Sequence, residues 1–231
     1  MGRRSALAGA LALAGCQAPG TPQAEIAPSL GPNRTGYIAI QAPIFNAVRD
    51  AFVANVNKLL ALGATEIQVL IASPGGVVAA AQDMIAFMDN LHASRGITFT
   101  THNAEVVASA ACYVFLAGQR RLSVPGGQFL FHEAAMASNE PYNSASLEDA
   151  NTAMQQIERS FLTMLTSRTR LTEAEALSFI RRTVVLSADE ARRDGITQAT
   201  AEFALPPGAT IFGIRAVPGK QGQPARTEPP A

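Results

Sequence analysis

Lysine is nearly absent from this chain. Of its 231 residues 18 are basic, and 16 of these are arginine, leaving only Lys58 and Lys220. A mechanism that needs a lysine as general base therefore has two candidates. Lys58 lies in an amphipathic stretch with apolar neighbours at helical spacing, and Lys220 in a proline-containing tail, so neither suits the role. Charge of one sign is also missing. The 18 acidic residues balance the 18 basic ones, which removes the electrostatic case for a nucleic-acid partner. Histidine and cysteine are scarce, with three and two residues, and their spacing matches no metal-ligand pattern, so no metal and no cofactor is expected. The apolar run near the amino terminus, Ser5–Ala14, is too short to cross a bilayer.

That short run suits an export signal instead. Gly2-Arg3-Arg4 gives a positive start, and Leu13-Ala14-Gly15-Cys16 closes the segment. Small residues ahead of a cysteine resemble the cleavage box of bacterial lipoproteins, which implies residues 1–15 as signal peptide and Cys16 as the lipidated residue. The alternative is an ordinary export signal that contains a cysteine. With Gln17 rather than aspartate after Cys16, the expected address is the periplasmic face of the outer membrane, with the inner membrane as the other choice. Once Cys16 carries lipid, Cys112 is the only thiol left and no internal disulfide can form. Its apolar neighbours mark Cys112 as a small core residue.

Residues 16–33 are rich in proline, alanine and glycine and read as a flexible tether. Residues 217–231 read as a disordered tail. One domain is expected over residues 34–216, and with 48% apolar residues it can bury a sizeable core. Within it strand-like and helix-like segments alternate. Gly36–Gln41, Glu66–Ala72, Ile97–Thr101 and Phe129–Phe131 read as strands. Ile44–Leu62, Val77–Leu91, Ser109–Leu116 and Leu147–Thr169 read as helices, the last with Met154, Ile157, Phe161 and Leu165 on one face. Such alternation favours an α/β domain on a parallel sheet.

Three segments carry chemistry. Ser73-Pro74-Gly75-Gly76 ends an apolar strand in a turn that can aim backbone N–H groups into a cleft. Ser109 opens a helix of small apolar residues, where unpaired N–H groups are available. His132 ends the strand Gly127–Phe131. Taken singly these read as a tight turn, a helix cap and a structural histidine. Together a serine, a histidine and a donor turn are the parts of acyl-transfer chemistry. His92 and His102 sit in polar contexts and receive no role.

In this order the segments resemble the proteolytic subunit of Clp protease. The resemblance rests on Ser73-Pro-Gly-Gly, on Ala108-Ser-Ala before a helix closing in Leu-Ala-Gly118, on Pro125-Gly-Gly-Gln-Phe-Leu-Phe-His132, and on Leu186-Ser-Ala-Asp-Glu-Ala191 followed by Gly195-Ile196. It covers about Tyr37 to Gln198, with two residues fewer between Gly118 and Pro125. It implies the Clp/crotonase-type fold, a spiral of ββα units, with Leu147–Thr169 as the handle helix that joins rings of a homo-oligomer. It also implies a serine endopeptidase acting on peptides or unfolded proteins. Ser109 would be the nucleophile, His132 the base, and Gly76 and Ala110 the oxyanion-hole N–H donors.

One position departs from the family. Its triad acid would fall four residues before Ser187, where this chain has Thr183, although Arg182 matches the family's neighbouring arginine. Threonine can accept a hydrogen bond from the imidazole but offers it no negative charge, and loss of the acid from such a triad costs about 10⁴ in turnover. Glu133 and Asp189 are nearby carboxylates, yet Glu133 should face away from His132 on its strand. The rival expectation is therefore a weakened or inactive oligomeric lipoprotein that binds peptides. Serine–lysine peptidases of the same fold are disfavoured by the lysine shortage, and crotonase-type enzymes by the lack of coenzyme A outside the cytoplasm. Export would also separate the protein from ATP and hence from a Clp ATPase partner. A misread start would restore a cytoplasmic subunit.

Overall fold

The structure is a computed structural model that describes residues 28–136 and 143–215. A 3-10 turn at Pro32–Arg34 leads into β1 (Thr35–Gln41), α1 (Asn46–Ala61), β2 (Glu66–Ser73) and α2 (Val78–Arg95). β3 (Thr98–Ala108), the short α3 (Ala110–Leu116), β4 (Arg120–Ser123) and β5 (Gln128–Phe131) follow. The last part holds α4 (Ser144–Arg168), α5 (Glu173–Arg181), β6 (Val184–Ser187), α6 (Ala188–Arg193), β7 (Ala199–Thr200) and β8 (Ile211–Arg215).

Eight strands form one sheet in the order β6-β5-β3-β2-β1-β8, with β4 branching from β3 and β7 pairing β4. The fold is mixed α/β, as the alternation of segments implied. The sheet is parallel except for β5 and β6, which run antiparallel with Phe131 opposite Val184. The apolar spacing of α1 meets its expectation: Val48, Phe52, Val56 and Leu59 are its buried residues. α2 buries Ala80, Ala81, Met84, Met88 and Leu91 against α1 and α3. Strand alternation turns Ile38 and Ile40 toward these helices and Tyr37 to the other face, where Phe203 packs on Tyr37 and His102. Phe52, Phe99, Phe115, Phe129 and Phe131 are fully buried, each contributing roughly 1.5–3 kcal/mol.

The strand expected over Ile97–Thr101 continues to Ala108 because it changes partners halfway. Thr100–Asn103 pair with β4, and Val106–Ala108 pair with β5. On its other side β2 advances two residues, Ile71 to Ser73, while β3 advances four, Asn103 to Val107. This bulge brings the end of β2 level with the end of β3. The Pro74–Gly76 turn and Ser109 thus leave the sheet side by side.

α4 starts at Ser144, three residues before Leu147, because Asn143 caps it: the Asn143 side chain accepts from the Ser146 N–H, and Ser146 Oγ from the Asn143 N–H, both at 2.9 Å. The helix is roughly 37 Å long, yet only Phe161 and Leu165 are buried, both in its last third. Of the span read as a tether, residues 28–33 are described. Ser29 pairs with Thr210, and the N–H of Gly31 donates to the carbonyl of Thr35. Cys16 and residues 217–231 lie outside the described residues.

Candidate active site

The floor of the site is the turn after β2. Pro74 ends the strand, and Gly75 and Gly76 take φ +90° and +150°, conformations closed to most side chains. Ile44 clasps the turn from one side: its N–H donates to Gly75 O at 2.7 Å and its carbonyl accepts from the Val77 N–H at 2.8 Å. In such a parallel bridge the N–H of Gly76 points away from Ile44. On that opposite side lies the turn from β3 into α3. A Cβ on Gly75 would stand 2.6 Å from both Ala108 O and Ser109 Cβ, and 3.0 Å from Ala110 N. Among the described residues, neither the Gly76 nor the Ala110 N–H donates to a protein acceptor.

Ser109 holds φ 54° and ψ −129°, a strained conformation for a residue with a side chain. It sits at the cap position of α3 but makes no side-chain cap bond, so the helix-cap reading fails on geometry. Its backbone is pinned instead, with the N–H donating to Leu130 O at 2.7 Å and the carbonyl accepting from Cys112 N–H at 2.9 Å. The hydroxyl is left to face the cavity. All seven residues of α3 are buried. At its far end Arg168 Nη1 donates to Leu116 O and Ala117 O, while Arg121 Nη1 donates to Gly118 O. Both ends of this short helix are therefore fixed.

His132 follows β5 and is exposed. Its Nδ1 lies 2.7 Å from the carbonyl oxygen of Glu133. A carbonyl only accepts, so Nδ1 carries the hydrogen, and in the neutral ring Nε2 presents its lone pair. Ser109, His132, Gly76 and Ala110 all line one cavity of 260 Å³, whose apolar wall includes Val78, Tyr113 and Phe161. Ser109 Oγ and His132 make no hydrogen bond to each other; catalytic contacts are often long before substrate binds.

Thr183 lies just outside β6 and is exposed. Continuing the β5–β6 register one step past Phe131–Val184 sets it opposite His132, but it makes no hydrogen bond to the imidazole. The carboxylates weighed as replacements do not reach the ring. Glu133 contributes its backbone carbonyl rather than its side chain, and Asp189 is exposed in the first turn of α6. Glu190 is occupied as a cap, taking the Ser187 N–H at 2.8 Å and Oγ at 2.7 Å. His102, read as lying in a polar context, is buried, with Nε2 donating to Ala201 O at 2.9 Å.

Sequence reading missed the contribution of α4. Phe161 stacks on Tyr113 with centroids 3.5 Å apart and rings 5° from parallel, and it walls the cavity. The apolar face of that helix was visible, but not what it covers. Cys112 is fully buried with Sγ 3.2 Å from Val107 O, and burial pushes its thiol pKa strongly upward. No cluster of three or more histidine, cysteine or acidic residues suited to a metal occurs among the described residues. No helix among them is long and apolar enough to cross a membrane.

A serine with an unused hydroxyl, a histidine on the same cavity and two free N–H groups beside them, carried on a mixed α/β sheet, define a serine-type hydrolase class. A model of the Clp protease family matches residues 33–202, and the chain belongs to that family. Membership supports a peptidase, of the serine type. The family forms oligomeric rings and binds peptide substrates. Among curated proteins no match was found.

Proposed function

We propose that this chain is a serine endopeptidase acting on peptides or unfolded proteins outside the cytoplasm, independently of ATP. The observation that carries the reading is the single cavity shared by Ser109, His132, Gly76 and Ala110. Ser109 Oγ attacks the scissile carbonyl carbon while its proton passes to Nε2 of His132. The N–H groups of Gly76 and Ala110 take the developing oxyanion. Collapse of the tetrahedral adduct breaks the C–N bond, and His132 returns the proton to the leaving amine. Water, deprotonated by the same imidazole, then releases the acyl group from Ser109.

The third position is where this chain differs. Thr183 is neutral, and Nδ1–H is held by the Glu133 carbonyl, which fixes tautomer and ring orientation without stabilising an imidazolium by charge. Turnover is accordingly slow by comparison with a triad that keeps its acid. Export and lipidation at Cys16 anchor the protein at the periplasmic face of a membrane, with α4 as the handle of a homo-oligomeric ring and no Clp ATPase required.

The second reading is an inactive peptide-binding scaffold, favoured by the lack of a carboxylate on His132. A fluorophosphonate probe separates the two. Labelling of the folded protein that vanishes in Ser109→Ala supports the enzyme, and absence of labelling in a folded wild type refutes it. Incorporation of radiolabelled palmitate, lost in Cys16→Ala, tests the anchor.

A further inference from the structure

A second cavity, of 190 Å³, adjoins the one that holds Ser109. The two share His132, Ala134 and Phe161, but the second touches neither Ser109 nor the Gly76 and Ala110 N–H groups. Both are smaller than the ~300 Å³ at which sites for drug-sized molecules begin, so each is of a size for one side chain. Which side of the scissile bond each serves follows from proton transfer. The acyl carbon must sit on Ser109 with its oxygen in the Gly76–Ala110 turn, whereas the leaving nitrogen must be within reach of His132. The cavity that includes His132 but not the nucleophile is therefore on the leaving-group side.

Its lining divides by chemistry. One part is apolar, from Met154 and Ile157 of α4, Ile180 of α5 and the shared Phe161. The polar wall comes from Asn151, Gln155 and Glu158, one helical stripe along α4, together with Glu133. Glu158 is bonded to Arg181 at 2.5 and 3.2 Å, and that bond holds its carboxyl below the usual range. Arg181 also feels the charge of Glu133, and Glu158 that of Arg159 as well as of Arg181, so of the two carboxylates Glu133 is the one with no ion pair among the described residues.

The geometry points to a leaving-group-side subsite on α4 that selects a lysine or arginine side chain in the residue following the scissile bond. The aliphatic stem of such a residue covers Met154 and Ile180 while its charged end meets Glu133, Glu158 and the amides of Asn151 and Gln155. The inference rests on the peptidase reading above. It adds to that reading which half of the substrate is recognised by charge.

The test uses the full chain and two substrate types. Internally quenched peptides share every residue except the one after the cleaved bond, which is lysine, alanine or glutamate. An activated nitrophenyl ester of the same acyl portion has no side chain on the leaving side and reports Ser109 chemistry alone. Both carboxylates are partly exposed, so the expected ratio of kcat/KM, lysine over glutamate, is about three- to tenfold. The double substitution Glu133→Gln with Glu158→Gln should bring that ratio close to one. Ester hydrolysis with peptides cleaved equally, or with glutamate preferred, overturns the subsite while leaving the peptidase reading intact. Persistence of the lysine preference in the double variant also overturns it. Failure of both ester and peptide hydrolysis by a folded protein overturns the peptidase reading, and the subsite with it.

Discussion

Replacing Thr183 by aspartate tests whether a missing anion is what limits His132. The β5–β6 register carries residue 183 to the position opposite the histidine, and directly opposed residues in an antiparallel pair present side chains on one face with Cα atoms about 4.5–5.5 Å apart. A carboxylate there can take the Nδ1–H now given to Glu133 O at 2.7 Å. Exchanging a neutral hydrogen bond for one to a charged group gains about 1 kcal/mol. A direct Coulomb estimate for a carboxylate 4 Å from an imidazolium runs from about 1 kcal/mol in water to about 4 kcal/mol at the effective dielectric of a protein surface. At 1.4 kcal/mol per tenfold change in rate, these bounds give about a fivefold to a 10³-fold increase in kcat/KM. The upper bound stays below the ~10⁴ of a buried triad acid because both His132 and residue 183 are exposed.

The assay is cleavage of a quenched peptide together with the rate of fluorophosphonate labelling, with thermal unfolding as the control for folding. Thr183→Asn supplies a neutral amide of nearly the same shape and should give far less. A folded Thr183→Asp protein whose kcat/KM stays within twofold of wild type refutes the reasoning. So does an equal gain from asparagine, since hydrogen bonding and not charge would then be responsible.

Other predictions bear on the frame around the site. Gly75→Ala places a Cβ 2.6 Å from Ala108 O and Ser109 Cβ at φ +90°, and should cost about 1–3 kcal/mol in urea unfolding while abolishing fluorophosphonate labelling. Cys112 should resist a disulfide reagent such as Ellman's in the native protein and react fully in denaturant, because burial disfavours its thiolate. Burial above all lowers the pKa of His102, so its neutral form belongs to the folded state. Stability is then full above the unfolded pKa of about 6.5 and falls as pH drops below it, until the folded pKa is passed. His102→Gln should flatten that part of the pH dependence of urea unfolding, and an unchanged slope would count against it.

The parts of the fold that could be read from sequence are those where one local pattern decides the outcome. Val48, Phe52, Val56 and Leu59 repeat at helical spacing and form the buried face of α1. The β-branched run after Glu66 is β2, and Pro74-Gly75-Gly76 ends it. Ser109 and His132 could be singled out because the residues around them follow a family pattern. What stayed hidden depends on contacts distant in sequence. β3 extends to Ala108 only because a second partner, β5, takes over where β4 ends. β8 is a five-residue edge strand with a central glycine, and it owes its existence to pairing with β1. The Glu133 carbonyl at His132 is a backbone group, which no residue pattern can announce.

The scarcity of lysine bears on the site in a second way, through what arginine can do that lysine cannot. Arg121 is buried and has no carboxylate partner among the described residues. Its Nε donates to Ile196 O, Nη1 to Gly118 O, and Nη2 to Arg168 O and Gly195 O, at 2.8–3.3 Å. Burial first, and the charge of Arg168 second, lower its pKa, yet a guanidinium in this range stays protonated. Arg168 spans Leu116 O, Ala117 O and both oxygens of Asp89. These two planar forks satisfy carbonyls from α3, α4 and the loop after α6 at once, a task that the three tetrahedral donors of a lysine cannot match. Arg168 is also the last residue of α4, and Phe161 two turns earlier stacks on Tyr113 of α3. α3 is therefore tied to α4 at its middle and its end, and Ser109 at its start is held in a strained conformation by elements remote from it. Breaking the Arg121 fork by Arg121→Met would leave four buried or half-buried carbonyls to find new donors. At about 1–3 kcal/mol for each buried acceptor left unpaired, that loss approaches the whole stability of a domain of this size.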